Sequence, residues 1–132
     1  MNSACILAEL SRAEKAARAA RLLCESDLAE DAVSRSYYAV LHAAKAALLA
    51  HEIIAESHSA IRRLFGNNLV KPGLLEAKWA AILADQQNRR ASADYDVQIA
   101  WDSREVQRLV QDAEAFVHQI RTYLMSRGFV EE

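Results

Sequence analysis

The chain is poor in the residues that punctuate structure, with three glycines and one proline in 132 residues. That scarcity excludes a turn-rich architecture and leaves few turns and long helices. Cysteine is also scarce. Cys5 and Cys24 lie on one predicted helix, too far apart to bridge within it. No CxxC and no Cys/His cluster occurs, which excludes a disulfide framework and the usual zinc spacings. No stretch reaches membrane-spanning length without charge. The opening "MNSACILAELSR" has too short an apolar run, and no basic start, for a secretory signal. A cytoplasmic protein with free thiols and no membrane partner is expected. The net charge is −2, so the whole chain has no electrostatic pull toward nucleic acid or membrane. Repeats and low-complexity tracts are missing too.

Half the residues, 52%, are apolar and 26% are charged, and the length suits a single domain over 1–132. Arginine outnumbers lysine twelve to four; its planar fork suits phosphate, although genome composition also yields such a ratio. In the first predicted helix, Ser3 to Cys24, the residues Ile6, Leu10, Ala13, Ala17, Ala20 and Cys24 step by four and three. Asp27 with Glu30 reads as a capping box for a second helix, Leu28 to Ile54. Ser57 caps a short third helix, His58 to Asn68. Pro72 then opens a helix through "LLEAKWAAILADQQ". Asp102 caps the last helix, Ser103 to Ser126, with Glu105 three residues on and Gly128 closing its end. No segment alternates like a strand. The expected fold is an all-α antiparallel bundle.

The stretch "NRRASADYD" (88–96) reads as the connection before the last helix, and it carries more charge than a connection needs. Three patches stand in order: "SRSYYAVLHAAKAAL" (34–48), "SHSAIRRLFGNNLVKPGLL" (57–75) and "RRASADYD" (89–96). Together they resemble the HEPN superfamily, in its small stand-alone UPF0332-like branch. The matching residues are Arg35, Tyr37-Tyr38-Ala39 and His42-Ala43-Ala44; Ser57-His58-Ser59 and Arg63-Leu64-Phe65-Gly66; and Arg90-Ala91-Ser92-Ala93-Asp94-Tyr95. The resemblance covers about residues 28–124.

The resemblance implies an up-and-down bundle of four to five helices that pairs as a homodimer. It also implies a toxin–antitoxin module whose partner, and antitoxin, is a minimal nucleotidyltransferase. Many such proteins are ribonucleases that work without metal or cofactor through an Arg-x4-6-His motif. In some pairs the partner attaches AMP to a tyrosine near that motif. Here the motif departs: counting from Arg90, Tyr95 stands where histidine often does, and from Arg89 a five-residue step lands on Asp94. A tyrosine near its ordinary pKa of ~10 is ionised about one part in a thousand at pH 7, so the proton-transfer half of the chemistry lacks its usual residue.

The expected catalytic residues are therefore Arg90, Asp94 and Tyr95, with Arg89, His58 and Arg35 as substrate-binding residues for RNA or a nucleotide. Several have a structural alternative. Arg90 can simply bridge to Asp94 or Asp96, Tyr95 can anchor a turn, and His58 can be a surface residue at a helix start. His42 suits packing, His51 and His118 suit the surface, and Arg62-Arg63 suit a solvated face. The functional alternative is a non-catalytic dimeric module that binds a nucleotide or a nucleotidyltransferase partner and offers Tyr95 for AMPylation.

Overall fold

The computed structural model describes residues 3–131. Five α-helices make up the fold: α1 (Ser3–Glu25), α2 (Ala29–Leu49), α3 (His58–Phe65), α4 (Ala77–Tyr95) and α5 (Ser103–Ser126). Among the described residues there is no strand. The chain is an all-α bundle, as its periodicity predicts.

Helix α2 is the axle. It packs against α1, α3, α4 and α5, and it is apolar around most of its circumference, as a helix enclosed by others must be. Its buried alanines 39, 43, 44, 46 and 47 let neighbouring backbones come close. Around it sit Ile6 and Leu10 of α1, Phe65 of α3, and Phe116, Ile120 and Leu124 of α5, all essentially inaccessible to water. Phe116 meets both Phe65 and Trp79, with ring centroids 5.6 and 6.1 Å away. A smaller cluster of Ala20, Ala32, Val33, Val106, Leu109 and Val110 closes the other end.

Pro72 opens no helix: a turn follows it, and α4 begins only at Ala77. Three further local expectations are corrected. First, α2 stops at Leu49 rather than Ile54; Glu52 adopts φ +60° in the turn that follows, and Ile54 is left exposed. Second, Asp27 does not cap α2. It takes φ +60° itself, and Leu28 occupies the cap position with no side-chain bond. Third, "NRRASADY" is not a connection. It forms the last two turns of α4, and the true link is 96–102. Ser57 and Asp102 cap as expected, accepting from the backbone N–H of Ala60 and Arg104. Past α3, residues Gly66–Val70 widen into a π-turn, where Lys71 N–H donates to the Gly66 carbonyl five residues back.

Candidate functional site

Because residues 89–95 are helical, their spacing acquires geometry. Arg90 and Asp94, four apart, lie on one face of α4, and Arg90 Nε stands 2.6 Å from Asp94 Oδ2. That face meets the N-terminal half of α2 and the start of α3. Arg90 Nη2 donates to Tyr38 Oη at 3.0 Å. Its guanidinium carbon lies 5.3 Å from the Tyr38 ring centre and 5.6 Å from that of Tyr37. Ser34 Oγ donates to Asp94 Oδ1 at 3.3 Å. One cation is thus held by a carboxylate, a phenol and two aromatic rings.

His58 joins the same corner. Its ring sits edge-on to Tyr37, centroids 5.3 Å apart, so His58 and Arg90 both lie against the Tyr37 ring. Burial lowers the His58 pKa from its ordinary value, and the nearby Arg90 charge lowers it further. The imidazole is therefore neutral at pH 7 and able to accept a proton. Burial pushes the Tyr37 phenol up to about 12, so Tyr37 is a wall of the site and not its base. Arg35 completes the group, its guanidinium 4.8 Å from the Tyr38 ring.

Four expected site residues, Arg90, Asp94, His58 and Arg35, thus surround Tyr37 and Tyr38. The two others do not. Arg89 pairs with Glu105 of α5 and lies 5.3 Å over the Trp101 ring. Tyr95, the last residue of α4, is 87% exposed. The tyrosine pair carried the resemblance but was not among the expected site residues. Tyr37 does face the core, but Tyr38 is half-buried and bonded to Arg90. The available signal was adjacency: neighbours on a helix point about 100° apart, so one of the two had to turn toward another helix.

The remaining histidines divide. His42 Nδ1 bonds Glu9 Oε2 at 2.7 Å between α1 and α2, in keeping with packing. His51, expected at the surface, is instead half-buried against Tyr123 Oη at 2.5 Å. His118 is exposed. Among the described residues no three His, Cys, Asp or Glu side chains converge as metal ligands would.

A family model of the HEPN domain matches residues 7–123. A protein of Methanocaldococcus jannaschii named "Putative toxin" is 34% identical over 119 residues, covering 90% of this chain and 88% of the relative. A second of the same name and organism is 30% identical over 122 residues, covering 92% and 83%. A "UPF0332 protein" of Gloeobacter violaceus is 40% identical over 86 residues, covering 65% and 68%.

Proposed function

The chain belongs to the HEPN family, and on that footing we propose that it is the toxin of a two-gene toxin–antitoxin module that cleaves RNA without a metal ion at the Arg90–His58 corner. The observation that carries this reading is the convergence of Arg90 and His58 on the ring of Tyr37. An imidazole on another helix thereby supplies what the Arg-x4-6-His spacing lacks. The names of the two archaeal relatives support the toxin role.

In this reaction a ribose 2′-hydroxyl gives its proton to His58 and attacks the adjacent phosphorus. The bond to the 5′-oxygen breaks, and that oxygen takes a proton from solvent. The products are a 2′,3′-cyclic phosphate and a 5′-hydroxyl end. Arg90 holds the charge that grows on the phosphoryl oxygens, and Arg35, over the Tyr38 ring, binds the strand next to it. Asp94 and Tyr38 fix the plane of the Arg90 guanidinium before substrate arrives. Two copies pair so that two such corners face one RNA, and a minimal nucleotidyltransferase silences the pair.

The test is cleavage of single-stranded RNA in EDTA. Wild type is expected to cut, and Arg90→Ala and His58→Gln to lose at least about a hundredfold. Full cleavage and full toxicity in Arg90→Ala would falsify the reading.

One observation favours a second reading, in which the chain is the AMP acceptor of its partner and not a nuclease. The Tyr95 phenol is 87% exposed, directly after Asp94. Incubation with the nucleotidyltransferase and ATP then adds one AMP to wild type and none to Tyr95→Phe, as read by mass.

A further inference from the structure

Several of the twelve arginines are held in ion pairs within the bundle. Arg21 binds Glu114, Arg121 binds Glu14, Arg108 bridges Asp85 and Asp112, and Arg89 and Arg90 have the partners given above. A groove between α1 and α2, about 480 Å³, is lined by Arg12, Lys15, Arg35, Tyr38 and His42. Among the described residues Arg12 and Lys15 have no carboxylate within ion-pair distance, and Arg35 contacts only the Tyr38 ring. The one acid at the groove's edge, Glu9, is already bound by His42 and Lys45, at 2.7 and 3.6 Å. In a chain of net charge −2, this leaves three cations facing one channel without an internal counterion.

The groove is also continuous with the site. Tyr38 lines it and bonds Arg90, and Arg35 lines it and covers the Tyr38 ring. A polymer whose phosphate sits on Arg90 stays on cationic surface if it passes Tyr38 and runs along Arg35 toward Lys15 and Arg12.

We propose that the α1–α2 groove is the path of a single RNA strand leaving the Arg90 corner, with Arg12, Lys15 and Arg35 on successive phosphates. The proposal rests on the RNA reading above and extends it to a flanking subsite. Its chemistry is that of a flexible polyanion. A duplex, with its backbone held at fixed width, fits a narrow one-sided channel poorly.

The experiment uses the full chain and a fluorescent, 2′-O-methylated RNA strand of roughly ten nucleotides, within the usual site size of a single-strand binder and unable to be cut at its 2′-oxygens. Binding by anisotropy is compared across salt for wild type, Arg12→Glu/Lys15→Glu and Arg18→Glu. Arg18 is on the same helix but lines a different groove, so it controls for net charge. The double variant is expected to bind about tenfold more weakly and to lose about 1.4 from the slope of log K against log salt, near 0.7 per phosphate contact. Arg18→Glu should show neither loss. On cleavable RNA the double variant should raise KM and leave kcat alone. If wild type binds and the double variant binds equally, the groove proposal fails while the RNA reading stands. If wild type binds no RNA, both fail. If the double variant instead changes the sedimentation of the protein alone, the groove is a face between copies and the proposal is overturned. Circular dichroism on Arg12→Gln/Lys15→Gln checks that these exposed substitutions leave the fold intact, and the same loss of affinity is expected there.

Discussion

Arg89 and Arg90 are adjacent on α4, point about 100° apart, and live in different parts of the molecule. Arg89 looks toward α5, where Glu105 and the Trp101 ring hold it, one turn along from Gln86, whose Nε2 donates to the Leu109 carbonyl at 2.8 Å. Arg90 looks toward α2 and α3, where two tyrosines and a histidine gather. The α5 side is joinery: Gln86 and Arg89 each close a contact between α4 and the helix that follows. The α2–α3 side gathers a cation, a carboxylate, phenols and a neutral imidazole at one corner, which is more chemistry than holding three helices together requires. A dibasic pair in a sequence is thus two residues with two jobs, and the helix decides which is which.

The sharpest way to break that contrast is to remove one arginine at a time. Arg90→Ala should lower RNA cleavage by about 10²–10³-fold, the usual cost of one oriented donor to a developing charge. Its unfolding free energy should fall by about 1 kcal/mol, since the pair with Asp94 is about as exposed as the Arg89–Glu105 pair. On the opposite face the order reverses. Gln86→Ala, at a fully buried side chain, should cost about 2 kcal/mol in urea unfolding through the lost bond and the space left behind. Arg89→Ala should cost less, about 1 kcal/mol, from a half-buried pair and one cation–π contact. Neither should change cleavage more than a few-fold. A large cleavage defect in Arg89→Ala at unchanged stability would mean that both arginines serve the site.

The contrast also explains what could be read in advance. Helix α5 was legible to the residue and α1 to within one, because each carries an unbroken stripe at helical spacing, and α5 opens on a capping aspartate. The end of α4 was not. Beyond Gln86 that helix is half-solvated and buries little besides Ala93, so its polar residues look like a loop. The real link, 96–102, holds Val97, Ile99 and Trp101, which look more like structure than the helix does. Reading 88–96 as a connection hid the shared face of Arg90 and Asp94, which exists only at helical spacing. Family-like spacing identified Arg90, Arg35 and His58 one by one. That they meet depends on α2, α3 and α4 crossing, and local periodicity does not encode a crossing.

His58 offers the smallest and most specific check. Its folded pKa lies below the ordinary imidazole value, first through burial and then through Arg90. As pH falls below about 6.5, the unfolded chain takes up this proton before the folded chain does. Stability therefore declines as pH drops from the unfolded value through the folded one and is flat above that window. His51, lowered by burial and Arg127, adds a decline of the same sign. His58→Gln should remove one of these two contributions and leave the other. The two arginines separate again in the histidine's own titration, followed by NMR of the ring protons. Arg90→Ala removes a nearby cation and should move the His58 midpoint up; Arg89→Ala should leave it in place. An unmoved midpoint in Arg90→Ala would mean that burial alone keeps the imidazole neutral, and that the proton acceptor and the phosphate-holding cation of the proposed nuclease are not electrostatically one site.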